Sequence, residues 1–145
     1  MTMTDVARDE LADPVAAIRD HVSAPVAMPG EAGYERCTPW NVAAQVRPAA
    51  VVLATSTPDV ADTVRFAAAR GLRVTVQATG HGATGVDADT ILIVTSGMTA
   101  CAVDALNRTA RVGAGVRWQQ VLDAACPYGL APVVGSAPGW GSWDS

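Results

Sequence analysis

Arg73-Val-Thr-Val-Gln-Ala-Thr-Gly-His-Gly-Ala-Thr-Gly-Val-Asp87 is the stretch whose reading decides the fold. Its β-branched run, Val74-Thr75-Val76, reads as a buried strand. The strand leads into a loop of small residues with one histidine, His81, between Gly80 and Gly82. Glycines let a backbone turn its N–H groups inward and let a ligand come close. Consecutive inward N–H groups form a nest for phosphate oxygens. An imidazole fixed beside such a nest lies close to whatever is bound there.

Gly80, Gly82 and Gly85 also spell G-x-G-x-x-G after a strand, and Asp104 stands near the distance expected of a ribose-binding acid. That fingerprint requires its last glycine to open a helix, whose N-terminus takes the pyrophosphate. Here Val86-Asp87-Ala88-Asp89-Thr90 leads directly into Ile91-Leu92-Ile93-Val94, a second strand. The intervening residues cannot hold a helix of ordinary length, so the dinucleotide fold is rejected. The loop must bind phosphates with its own backbone.

The chain has 145 residues, half of them hydrophobic, which is enough for one domain or part of one. A net charge of −4 argues against a nucleic-acid surface. All ten basic residues are arginine, and with abundant alanine and glycine this suggests a GC-rich gene. The apolar runs are too short to cross a membrane. Met1 to Asp13 lacks the order of a signal peptide. A cytoplasmic protein is expected. Cys37, Cys101 and Cys126 are widely spaced, with no C-x-x-C pair, and His21 and His81 stand far apart. No structural metal site is expected, and the thiols are expected reduced and mostly buried, Cys101 and Cys126 as core rather than redox groups.

Upstream, Asp13-Pro14 can start a helix with Val15, Ile18 and Val22 on one face, and His21 solvated beside it. Pro25 to Gly33 is a loop. Trp40 reads as a packing anchor rather than a stacking platform. Ala50 to Ala54 reads as a buried strand. Thr57 is expected as N-cap of the next helix, with Pro58 at its first position and Asp59 at its positive end. Val60, Val64, Ala67 and Ala68 should face the core, and Gly71 should stop the helix. With Val74 to Val76 this makes a β–α–β crossover whose strands are parallel and whose connection is right-handed. After the Ile91 to Thr95 strand, Ala102 to Leu106 and Thr109 to Val112 read as a hairpin. Asn107 should take the left-handed conformation of its turn. Gly113 to Gly115 forms a bend, and Val116 to Ala125 a short helix with Trp118 partly exposed. Leu130 to Val134 reads as a last extended segment.

In order and spacing these pieces resemble a family. They are Trp40-Asn41 before Arg47-Pro48-Ala49-Ala50-Val51-Val52, the capped helix to Gly71, Val74 to Ala83 with its Gly-His-Gly, and Ile91 to Met98. Thr109 to Trp118, Gly129-Leu130-Ala131-Pro132 and Gly135-Ser136-Ala137-Pro138-Gly139 complete the series. It resembles the N-terminal part of flavin-dependent oxidoreductases of the vanillyl-alcohol oxidase and p-cresol methylhydroxylase (PCMH) type, nearest the berberine-bridge-enzyme-like branch. The resemblance implies an α+β fold, a PCMH-type FAD-binding domain. Its βαβ subdomain would pack against the start of a second, mainly antiparallel one, and the whole would be truncated. Residues 1–33 would be an N-terminal helix and loop, residues 34–139 the incomplete domain, and residues 140–145 an aberrant tail.

The resemblance further implies that FAD is the cofactor and partner. Gln77, Ala78, Thr79, Gly80, His81, Gly82 and Ala83 would wrap its pyrophosphate, and Gly135 and Ser136 would lie against it, Ser136 as a donor near the ring. His81 matches the histidine that carries the flavin covalently, through the 8α-methyl carbon, in many members. Ala137 occupies the place of a cysteine that makes a second flavin bond in some. From the residues alone, His81 can equally be a polar loop residue bonded to a neighbouring carbonyl, and turn geometry alone can account for Gly80 and Gly82. Family enzymes oxidise alcohols, sugars or amines and pass the electrons to oxygen. No residue here is assigned as catalytic acid or base, and a small-molecule substrate is expected only of a full-length chain, with no nucleic acid, membrane or metal partner. The other readings are a non-catalytic nucleotide-binding module and a non-functional fragment.

The final six residues, Trp140-Gly141-Ser142-Trp143-Asp144-Ser145, depart from the family pattern. Restoring one G before a plausible GC-rich coding of them gives Val-Gly-Val-Val-Gly-Leu, which is that pattern. A frameshift is therefore expected, and the nucleotide sequence downstream of the Gly139 codon tests it.

Overall fold

The computed structural model describes residues 15–133. The expected Asp13 cap, the Gly135 and Ser136 positions, Ala137 and the 140–145 tail lie outside the described residues.

The core is a four-stranded sheet. Its strands are β1 (Val26–Ala27), β2 (Ala50–Leu53), β3 (Arg73–Gln77) and β4 (Thr90–Val94), in spatial order β1-β2-β4-β3. β1 runs antiparallel to β2, while β4 is parallel to both β2 and β3. β2 and β3 are thus parallel, as the crossover requires, but they are not neighbours: β4 slots between them. The central position explains why all five β4 residues are buried. It also corrects the buried reading of Val74 to Val76. β3 is an edge strand, with Val76 59% exposed. A β-branched run fits an edge as well as a centre, because its packing partners set its burial.

Helix α1 (Thr57–Ala69) connects β2 to β3. Its N-cap is Ser56, one residue before the expected Thr57, so that Pro58 falls in the first turn. The Ser56 Oγ accepts from the Asp59 amide at 3.4 Å, and the Asp59 carboxylate accepts from the Ser56 amide at 2.9 Å. This reciprocal capping box satisfies two orphan donors. It also turns Asp59 inward, and the buried face becomes Asp59, Thr63, Phe66 and Ala67, of which only Ala67 was expected. Val60 is half-buried, while Val64 and Ala68 are exposed. Gly71 follows the C-cap with φ +66°, as a helix stop requires.

Alternation along the strands divides the core in two. On one face, Val52 and Ile91 pack with Phe66 and Ala67 of α1 and with Ile18 and Val22 of the N-terminal segment. Val15 joins Ile18 and Val22 as buried, and His21 is exposed beside them, its ring edge against Phe66 at 5.2 Å between centroids. On the other face, Val51, Leu92 and Val94 pack with Cys37, Tyr34 and Val46. Thr75 pairs with Leu92 and Gln77 with Val94, so these two β3 residues share that second face.

A separate hairpin, β5 (Cys101–Asp104) and β6 (Thr109–Val112), is antiparallel, and helix α2 (Trp118–Ala125) packs on β5. At its turn Arg108, not Asn107, takes the positive φ, at 52°. Asp104 explains this. Its carboxylate accepts from the amides of Leu106 and Asn107 and from the Asn107 side chain, which holds Asn107 down and passes the left-handed step to the next residue. Asp104 is therefore a turn residue rather than a ribose ligand. Trp118 is partly exposed, Cys101 half-buried and Cys126 exposed, so only Cys37 among the cysteines is core. The Leu130 to Val133 stretch forms no strand.

Candidate functional site

The loop after β3 runs from Ala78 to Asp89 without a helix and returns as β4. Its backbone turns left-handed twice, at Gly80 (φ +80°) and Gly82 (φ +72°), on either side of His81. A side chain would strain both positions. At Gly80 there is also little room, since a Cβ would stand 3.2 Å from both Gln77 Nε2 and the Trp40 nitrogen. At Gly82 a Cβ would meet only open space.

The segment from Arg36 to Arg47 clasps this loop. The Gln77 side chain donates to the Arg36 carbonyl at 3.1 Å. The Trp40 amide donates to the Gly80 carbonyl at 3.1 Å. At the far end, Val46 and Val86 form an isolated parallel bridge, with Arg47 N to Val86 O at 2.8 Å and Val86 N to Gln45 O at 2.9 Å. The clasp is itself anchored by the Tyr34 hydroxyl, which donates to the Pro48 carbonyl at 2.7 Å. Burial pushes the Cys37 thiol beneath it up from its ordinary pKa, and the Glu35 carboxylate adds to the rise.

Between loop, clasp and sheet lies a cleft of about 380 Å³. Because Leu92 and Thr75 form part of its wall, the cleft opens on the sheet face opposite α1. Gln77, Ala78, Gly80, His81, Gly82 and Ala83, all anticipated from sequence, line it. Thr79 is in the loop but not in the lining, and its Oγ1 accepts from the His81 amide at 3.4 Å. Gln77 is buried and its amide faces the clasp rather than the cleft. His81 is exposed at the crest of the loop.

The apolar wall of Val46, Val86 and Leu92, together with Thr95, has no counterpart in the sequence reading. Thr95 is 2% exposed and links three pieces. Its amide donates to the Gln77 carbonyl at 3.0 Å, and its hydroxyl to the Ala114 carbonyl at 3.2 Å. A hydroxyl-bearing residue ending a buried strand was the available signal; the Val46–Val86 bridge left none, since it joins two residues of irregular chain.

Among the described residues, no hydrogen bond engages the backbone N–H groups of Gly82, Ala83 or Thr84. Unpaired amides beside two left-handed glycines are the chemistry of an anion nest. The Cβ side of Gly82 faces open space. Among the same residues no group of three or more His, Cys, Asp or Glu is arranged to hold a metal ion, and no helix is long and apolar enough to cross a membrane.

Residues 48–141 match the family model described as the FAD binding domain. The chain is 29% identical over 116 residues to (R)-6-hydroxynicotine oxidase of Paenarthrobacter nicotinovorans, covering 78% of this chain and 25% of that protein. The crystal structure of 6-hydroxy-D-nicotine oxidase from Arthrobacter nicotinovorans superimposes with a TM-score of 0.75 at 28% identity, over 83% of this chain and 27% of the other. Carbohydrate oxidase from Microdochium nivale shares the fold, with a TM-score of 0.75 at 23% identity over 89% of this chain and 28% of the other. The chain therefore spans about a quarter of the length of these relatives. With its mixed α+β fold and that match over most of its length, the chain belongs to the FAD binding domain family.

Proposed function

We propose that the loop from Gln77 to Ala83 cradles the diphosphate of FAD. The observation that carries this is the pair of left-handed glycines beside the unpaired amides of Gly82, Ala83 and Thr84, at the C-terminal end of β3 and within the family match. Those amides donate to phosphate oxygens. Gln77 holds the loop's entry through Arg36, and Val46, Val86 and Leu92 keep water from one wall of the cleft. Gly135 and Ser136 complete the cradle in this reading.

The whole protein is proposed to be a flavin-dependent oxidase acting on an alcohol, sugar or amine group with oxygen as acceptor. Similarity to nicotine and carbohydrate oxidases supports it. Bound FAD supplies a two-electron acceptor; the protein positions and tunes it. The 145 residues are the FAD-binding part and turn over no substrate alone, the base that takes a substrate proton being supplied by a longer chain.

His81, at the crest of the loop, is the proposed attachment point. Its imidazole would hold the flavin through the 8α carbon, and FAD would supply the two-electron acceptor there.

The test is a FAD titration of the 145-residue chain, with flavin fluorescence as readout, followed by acid precipitation. Saturable binding that is weakened by Gly82→Val supports the cradle. Colour that stays with precipitated wild type but not with His81→Ala supports the bond. Colour retained equally by both would refute the covalent role, and wild type that binds no FAD would refute the cradle.

A further inference from the structure

Trp40 and Val42 are large apolar side chains left 79% and 84% exposed. They stand on a fixed turn. The Asn41 side chain accepts from the Ala43 amide at 3.1 Å, and the Asn41 carbonyl from the Ala44 amide at 2.9 Å. That turn is joined to the cofactor loop, because the Trp40 amide donates to the Gly80 carbonyl at 3.1 Å, one residue from His81. This overturns the packing-anchor reading of Trp40: the residue before it, Pro39, is buried, and the indole is not. An indole held in water beside a ligand loop forgoes a large burial energy unless something covers it.

The neighbouring cleft, at about 380 Å³, is near the lower end of the range for drug-sized ligands. FAD is a dinucleotide with two flat ring systems joined by a diphosphate. With its diphosphate on the loop amides, it extends beyond such a cleft and past the rim. We propose that the Trp40 indole stacks on a ring system of bound FAD, making Trp40 a cofactor-binding residue at that rim. This rests on the loop reading above. Stacking suits the site because it is tolerant of exact placement and needs no polar partner from the turn.

The experiment titrates wild type, Trp40→Ala and Trp40→Phe, as the 145-residue chain, with FAD, ADP and riboflavin. Far-UV circular dichroism verifies that each variant keeps the fold, which an exposed side chain does not hold up. FAD dissociation constants should rise about tenfold in Trp40→Ala and by less than about threefold in Trp40→Phe, which keeps an aromatic face. The same loss seen with ADP assigns the adenine ring, and seen with riboflavin assigns the isoalloxazine. Unchanged FAD affinity in Trp40→Ala, or equal weakening by Ala and Phe, overturns the stacking role and leaves the loop reading standing. Wild type that binds no FAD overturns both.

Discussion

Gln77 crowds Gly80 across the first turn of the loop around His81: a Cβ on Gly80 would lie 3.2 Å from Gln77 Nε2 and 3.3 Å from its Cδ. The buried amide of Gln77 is already committed to the Arg36 carbonyl, so it cannot swing aside without breaking the clasp. Gly80→Ala therefore combines a left-handed penalty of about 1–2 kcal/mol with a displaced Gln77. Urea unfolding should show at least that loss, and FAD affinity should fall with it. Gln77→Leu, which keeps volume and removes the donor, should weaken FAD binding while leaving the sheet intact by circular dichroism.

Gly82 and Gly113 should behave differently under the same change. Gly82→Ala places its methyl in open space, so the cost is the left-handed conformation alone, about 1–2 kcal/mol, and the chain should still fold. A methyl on Gly113 would stand 2.2 Å from the Met98 carbonyl oxygen, which is backbone and cannot yield. Gly113→Ala should cost about 3 kcal/mol or more and yield mainly insoluble protein. Comparable urea midpoints for the two variants would contradict this.

Thr95→Val should separate the two sheets energetically. The change keeps shape but leaves the Ala114 carbonyl without its hydroxyl donor, at about 1–2 kcal/mol. Because the Thr95 amide still binds the Gln77 carbonyl, the variant should lose stability without losing the loop's entry. Thermal melting paired with FAD titration tests the split.

Asp59 gives the fold a pH dependence. Burial raises its pKa, but the hydroxyls and amides of Ser56 and Thr55 together outweigh that and hold the carboxyl below its ordinary range. With the folded pKa below the unfolded value of about 3.9, the stabilisation is present above that value and is lost as pH falls through the folded one. Asp59→Ala should cost about 1–2 kcal/mol near neutrality, and the gap from wild type should narrow below about pH 4. A gap unchanged at pH 3 in urea melts would show that the carboxylate's charge is not what matters.

The loop and its strands were legible because local chemistry writes them. Two glycines around His81, a β-branched run before them and a second apolar run soon after leave little choice. What was misread depended on distant partners. Val76 is β-branched whether it lies at the centre or the edge, and the insertion of β4 decides which. Val64 and Ala68 satisfy helical spacing, yet Asp59 rotates the helix about its capping box. Asn107 is the better left-handed residue, but Asp104 restrains it. The wall of Val46, Val86 and Leu92 comes from three separate segments, and the Arg36 to Arg47 clasp has no period at all. In the sequence, Trp40 reads as a packing anchor; its exposure follows from the Asn41 turn.

The order β1-β2-β4-β3 also has a consequence in time. β2 and β3 share no hydrogen bonds, so the strand that precedes the His81 loop has no sheet to join until the strand that follows it is present. On a ribosome, the loop around His81 is synthesised before its shape can be fixed. It acquires that shape when Val94 emerges and β4 closes the non-local pairings, which are the slow ones to form. On the proposed reading of the loop, FAD capture follows that pairing: a nascent chain ending before β4 should ignore FAD, and one extended past it should begin to hold it.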